Sequence, residues 1–166
     1  MKPPAFDYVR PESLEEALEL LGRYGEDAKI LAGGQSLMPM LNFRLLAPRV
    51  VVDINAIPGL ETLEVTSERL RLGALVRYRA LQRATRDTPG WSLIARMLRN
   101  VAHVAIRNRG TPVGSLCHAD PAAEFPAVAC LFDGTVDVRS SRSRRSLGVE
   151  ALCIGPLETE LAPDEL

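Results

Sequence analysis

Ala32-Gly33-Gly34-Gln35-Ser36-Leu37 and Gly110-Thr111-Pro112-Val113-Gly114-Ser115-Leu116 are the two stretches that decide how this chain folds. The first follows a short apolar run, Lys29-Ile30-Leu31; the second follows a segment of helical periodicity. Each offers consecutive backbone N–H groups with little side-chain bulk, which is what a phosphate needs if the main chain is to wrap round it. Each also carries a hydroxyl, Ser36 in one and Thr111 or Ser115 in the other. Two such turns suggest a ligand with two phosphates. A tight strand-to-helix connection without a ligand would use the same residues at the first turn. Neither stretch is a Rossmann fingerprint, since GxGxxG is absent, nor a P-loop, since no Lys follows the glycines.

Outward from the first turn, Val50-Val51-Val52-Asp53-Ile54 reads as a second apolar strand. Strand, helix-bearing turn and strand make a parallel βαβ unit with a right-handed crossover. Ahead of it, Ser13-Leu14-Glu15-Glu16 is a capping box, followed by Leu14, Ala17, Leu18, Leu21 and Tyr24 at the spacing of one buried helix face, with Gly25 placed to end the helix. The spacing predicts a further helix over 37–46, interrupted by Pro39. From residue 60 the pattern changes. Leu63-Glu64-Val65-Thr66 and Leu70-Arg71-Leu72-Gly73 read as an antiparallel hairpin, and helices are expected over 77–88, 92–100 (continuing through 101–106) and 122–132, the last opened by Pro121. A strand over 135–139 and a second hairpin close the pattern. The basic run Arg139-Ser140-Ser141-Arg142-Ser143-Arg144-Arg145-Ser146 is expected to be its solvated loop, because no aromatic partners accompany it. The division expected is a βαβ lobe over 1–58 and a second α+β lobe over 59–166.

Composition narrows the function. Apolar residues at 46% with 25% charged place the chain among folded globular proteins. A net charge of −1, from 20 basic and 21 acidic residues, leaves no broad positive field for nucleic acid or an anionic membrane, so any phosphate contact must be local. Cys117, Cys130 and Cys153 fit neither a CxxC metal pair nor a disulfide scaffold and are expected to be reduced. Cys117, His118 and Asp120 are metal-ligating types, but neighbours on an extended chain point to opposite faces and no second cluster completes a site. Asp120-Pro121 could simply cap the following helix. No stretch of about 18 apolar residues occurs, and no signal peptide is legible at the start; a cytoplasmic protein without a membrane span is the expectation.

Taken together, residues 32–39, Ile106-Arg107-Asn108-Arg109-Gly110-Thr111, and Gly114-Ser115-Leu116 with His118-Ala119-Asp120-Pro121-Ala122-Ala123-Glu124 resemble the FAD-binding medium subunit of molybdenum hydroxylases, the family of aerobic carbon monoxide dehydrogenase and xanthine dehydrogenase flavoproteins. The likeness runs through Val50-Val51-Val52-Asp53-Ile54 to the closing Gly155-Pro156-Leu157 and Pro163-Asp164-Glu165-Leu166. It implies an α+β flavin domain of the vanillyl-alcohol oxidase (PCMH) type with non-covalent FAD. The resemblance also implies an oxidoreductase subunit that relays electrons to an acceptor from [2Fe–2S] clusters on a small partner subunit. Substrate would be oxidised at a molybdenum cofactor on a large one. Three cysteines are too few for such a cluster in this chain. By motif, FAD contacts fall on Ala32, Gly33, Gly34, Gln35, Ser36 and Leu37, and on Thr111, Gly114 and Ser115, with Asp120 and Glu124 at polar contacts to the ribityl or ribose portion. No catalytic acid or base and no metal ligand is implied.

Two departures from the family stand out. Thr111-Pro112-Val113-Gly114 replaces Thr-Ile-Gly-Gly, so either Val113 is strained by roughly 1–3 kcal/mol or the turn has another shape. Members of the family also continue into a third lobe, whereas residues 161–166 end where another strand could begin, which reads as a truncation. A second reading follows from the first departure: a degenerate flavin-fold module that serves as a docking surface between subunits.

Overall fold

A computed structural model describes residues 2–166. Its first half is built round a three-stranded parallel sheet of order β1-β3-β2, with β1 Asp7–Val9, β2 Ala28–Leu31 and β3 Val50–Asp53. All four residues of the central strand β3 are buried, as a parallel strand covered on both faces requires. Val50 and Val52 point into one apolar core with Ala17, Leu18 and Leu21 of helix α1 (Leu14–Tyr24). Half of the expected capping box is present: the Ser13 hydroxyl accepts from the Glu16 N–H, while the Glu16 carboxylate reaches one residue past the cap and accepts from the Glu12 N–H. Helix α2 (Leu37–Asn42) is shorter than the expected 37–46; Arg44 turns left-handed (φ +57°) just past its end.

The second half opens with the hairpin β4 (Leu63–Val65) and β5 (Leu70–Leu72), paired Leu63 to Leu72 as the alternation predicts. Three helices follow: α3 (Tyr78–Arg86), α4 (Ser92–Met97) and α5 (Val104–Arg109). The expected continuation from α4 into 101–106 is broken, because Ala102 adopts φ +41° and the chain reverses before α5. Helix α6 (Pro112–His118) and helix α7 (Glu124–Leu131) come next. α7 starts at Glu124 rather than at Pro121, since residues 120–123 form a turn closed by the Ala123 N–H on the Asp120 carbonyl, 3.0 Å. Pro126 then occupies the first helical turn, where its missing N–H removes no helical bond.

Strands β6 (Thr135–Arg139) and β7 (Arg144–Gly148) pair antiparallel, with Val138 opposite Arg145 and Arg139 opposite Arg144. Much of the basic run is therefore strand, and only its centre is loop. Arg145 is held by Glu165 through two bonds of 2.8 and 2.6 Å. A short helix α8 (Val149–Leu152) leads into the hairpin β8 (Cys153–Gly155) and β9 (Glu158–Thr159). Leu81, Leu98, Leu116, Phe125, Val149 and Leu152 make the core of this half. Leu60, Ala74, Leu75 and Leu166 pack instead with α1 and the parallel sheet, so apolar contacts knit the halves together.

Candidate functional site

The first glycine turn leaves β2 at its carboxyl end and enters α2, with Gly34 at φ +71°. Gly33 lies hard against the second stretch: a Cβ there would stand 2.5 Å from the Arg109 carbonyl oxygen and 2.8 Å from the Gly110 Cα. Two segments far apart in sequence thus meet backbone to backbone, and only glycine allows it. The Gln35 side chain folds back to donate from Nε2 to the Gly33 carbonyl at 2.9 Å and lies beside Gly110. Met38 and Met40 donate to the Gly34 and Ser36 carbonyls to start α2. The N–H groups of Gly33, Gly34, Gln35, Ser36 and Leu37 meet no acceptor among the described residues. Five consecutive donors without partners are the kind of backbone strip that suits an anion.

The second stretch is the opening of α6. Thr111 is buried and caps the helix, its Oγ1 accepting from the Gly114 N–H at 3.1 Å. Pro112 occupies the first helical position, where a missing N–H is harmless. Val113 is a helical residue outside the positive-φ set, so the departure from the family pattern brings no backbone strain. Gly114 is needed for another reason: a Cβ would come 2.6 Å from the Thr111 hydroxyl and displace the cap.

Sequence reasoning missed a polar chain behind these turns. The Tyr8 hydroxyl donates to Asp53 Oδ2, and Asp53 Oδ1 accepts from the Asn55 N–H at 2.9 Å. Asn55 Nδ2 donates to the Ala32 carbonyl at 2.9 Å. Asn55 Oδ1 accepts from Arg77 Nη2 at 2.5 Å, and Arg77 Nη1 donates to the Arg109 carbonyl at 2.7 Å. Burial works to raise the Asp53 carboxyl, but the bonds from Tyr8 and from Asn55 outweigh it and hold it below its ordinary value; the same bond pushes the Tyr8 phenol up. Burial, then the Arg109 charge, lowers the Arg77 guanidinium. The one sequence signal for this chain was Asp53 at the end of an apolar strand with a small polar residue two positions on.

Of the other expected contacts, Ser115 and Glu124 converge on Tyr78, which sits at the start of α3 with its ring edge-on to Phe125, centroids 6.1 Å apart. Burial pushes the Tyr78 phenol up to about 12, with the Ser115 hydroxyl opposing and the Glu124 carboxylate adding. Asp120 closes a local turn with one oxygen: its Oδ1 accepts from the Ala122 N–H at 2.9 Å, an Asx turn that does not cap α7. Cys117, Cys130 and Cys153 are free thiols, and no group of three or more His, Cys, Asp or Glu among the described residues is placed to hold a metal.

Partnerless main-chain amides, glycines at the points of closest approach and a neighbouring guanidinium make up a surface suited to a phosphate-bearing ligand. The chain belongs to the family described as FAD binding domain in molybdopterin dehydrogenase, whose profile matches residues 4–166. It is 42% identical to the nicotine 6-hydroxylase medium subunit of Paenarthrobacter nicotinovorans over 166 residues, which is 100% of this chain and 58% of that protein. Quinoline 2-oxidoreductase from Pseudomonas putida 86 has the same fold, with a TM-score of 0.92 at 38% identity over 100% of this chain and 58% of that one. Carbon monoxide dehydrogenase from Hydrogenophaga pseudoflava superposes with a TM-score of 0.94 at 33% identity, again over 100% and 58%. The chain thus spans rather more than half the length of these relatives. Its cofactor as a member of this family is FAD, and its class is that of an oxidoreductase subunit. No helix among the described residues is long and apolar enough to cross a membrane.

Proposed function

We propose that this chain is the FAD-holding part of the medium subunit of a cytoplasmic molybdenum hydroxylase. In that assembly it would stand between a small iron–sulfur subunit and the electron acceptor, with substrate oxidised on a large molybdenum-binding subunit. The observation that carries the reading is the strip of five amide donors, backed directly by the second glycine stretch. In this reading the N–H groups from Gly33 to Leu37 and the Ser36 hydroxyl face the diphosphate of FAD. Ala32 sets the entry to the strip, and Thr111, Gly114 and Ser115 close it from the α6 side. Asp120 and Glu124 serve the sugar portion. When bound, the flavin supplies the redox chemistry, taking electrons from the clusters and passing them on; the protein's part is to bind, orient and shield it.

Within the family the relatives named for nicotine and for caffeine are 42% identical, those named for carbon monoxide 30 to 32%, and those named for nicotinate and xanthine 29% and 24%. This favours, for the whole enzyme, a substrate of the kind that the nicotine and caffeine enzymes are named for over carbon monoxide. The unstrained Val113 takes away the reason for reading the chain as a degenerate docking module. Titration of the purified chain with FAD, followed by flavin fluorescence and by thermal unfolding, tests the proposal: saturable uptake with a rising melting temperature is expected, and neither effect at high FAD would refute it.

A further inference from the structure

We infer that Arg77 and Asn55 form a latch that sets the spacing of the two cofactor-facing stretches, and so act as positioning residues for the diphosphate. The inference rests on the FAD reading above and extends it to side chains outside both glycine motifs.

Among the described residues, the bond from Arg77 Nη2 to Asn55 Oδ1, 2.5 Å, is the one hydrogen bond that joins residues 2–58 to residues 59–166. Its two ends are tied to the two stretches themselves. Asn55 Nδ2 donates to the carbonyls of Leu31 (3.3 Å) and Ala32 (2.9 Å), the last residues before Gly33. Arg77 Nη1 donates to the carbonyl of Arg109, the atom against which Gly33 is pressed. The Tyr78 N–H, next along the chain, donates to the Gly110 carbonyl at 3.0 Å. The amide orientation of Asn55 follows from its partners, since arginine only donates and the Nδ2 side meets only acceptors. Asp53 Oδ1, held by the Asn55 N–H and by its Nδ2 at 2.5 Å, and the Tyr8 hydroxyl behind it anchor the end of β3.

A planar guanidinium is suited to this task, because two of its donors reach two acceptors in a fixed fork. A lysine at 77 keeps the positive charge but carries its three donors on a single nitrogen, without the two separate nitrogens of the fork that reach the Arg109 carbonyl and Asn55 Oδ1. Arg77 is half-buried and has no carboxylate within ion-pairing distance among the described residues, so no ion pair competes for its fork. Without the latch the apolar cores still form, and the mutual placement of the strip and the α6 cap is what loosens.

The experiment uses the chain with Asn55→Ala, Arg77→Lys, Arg77→Met and the double variant Asn55→Ala/Arg77→Met. Two readouts are taken: the FAD dissociation constant, and hydrogen exchange of single amides in the FAD-free protein. Each single substitution is expected to raise the dissociation constant tenfold or more, Arg77→Lys as much as Arg77→Met, and the double variant no more than twofold beyond the weaker single. In the free protein the amides of Met38 and Tyr78, bonded to the Gly34 and Gly110 carbonyls and so reporting one on each stretch, exchange about tenfold faster in the single variants. The amide of Leu98, bonded to Ile94 in the distant core, stays within twofold of the parent. Retained affinity in Arg77→Lys, multiplicative effects in the double variant, acceleration at one stretch only, or equal acceleration at Leu98 would each overturn the latch. A parent chain that takes up no FAD refutes the function proposed above, and the exchange data then decide the latch by themselves.

Discussion

Gly33 is the position where one hydrogen in place of a methyl decides the site. Gly33→Ala puts a carbon 2.5 Å from the Arg109 carbonyl oxygen, with backbone on both sides and no flexible side chain to yield. We expect a loss of about 1–3 kcal/mol in denaturant unfolding, the usual range for overpacking, together with loss of FAD uptake. Val113 is the opposite case. Because it is an ordinary helical residue, Val113→Gly restores the family's glycine without relieving anything. Affinity for FAD is expected to stay within about twofold, and stability to fall by about 0.5–1 kcal/mol from glycine's helical penalty. A large gain in affinity would show that the valine obstructs the site after all.

Elements are set by their caps and by what their ends touch. Thr111→Val removes the hydroxyl that accepts from Gly114 and leaves that N–H without its partner, so α6 is expected to lose about 1 kcal/mol, seen as a lower midpoint in urea. The β6–β7 hairpin is fastened to residues 160–166 by Arg145, and Leu166 exchanges N–H···O bonds of 2.8 Å in both directions with Arg139. The Arg145 bonds, chiefly, hold the Glu165 carboxyl below its ordinary value despite burial. A carboxyl depressed on folding contributes stability above its unfolded pKa, and that contribution drains away as pH falls through the folded pKa. The melting temperature should therefore fall on acidification below about pH 4.5, the ordinary range for a glutamate. Glu165→Gln should melt lower at neutral pH and lose less between pH 6 and acid, which thermal scans across pH will show.

The molecule as a whole is two apolar cores joined by packing and by one polar bridge, with the anion strip at the seam. A ligand bound at that seam stabilises both halves by mass action, about 2.7 kcal/mol at a hundredfold excess over its dissociation constant. FAD should raise the melting temperature of the whole chain in a single transition. FMN, with one phosphate, should raise it less at equal concentration; equal shifts would argue against a site built for two phosphates.

Much of this was legible in the order of residues. The capping box at Ser13, the alternation at Leu63 to Leu72 and the all-valine β3 each encode an element through local periodicity or a local hydrogen bond, and the glycines at 33 and 34 announced a backbone site together with the family that uses it. Element ends were less legible: α2 and α7 came out shorter, and the Arg144–Ser146 run joined a strand, because ladder pairing with Asp137 to Arg139 outweighs its polar composition. Local chemistry therefore determined the glycine turns and a ligand with two phosphates, and their resemblance to a known family supplied the class and the cofactor. Only the tertiary structure decided that Gly33 abuts Arg109, that Val113 lies in a helix, and that Arg77 reaches Asn55. Those contacts join positions far apart along the chain, and no spacing rule within a single element carries information about them until both cores have packed.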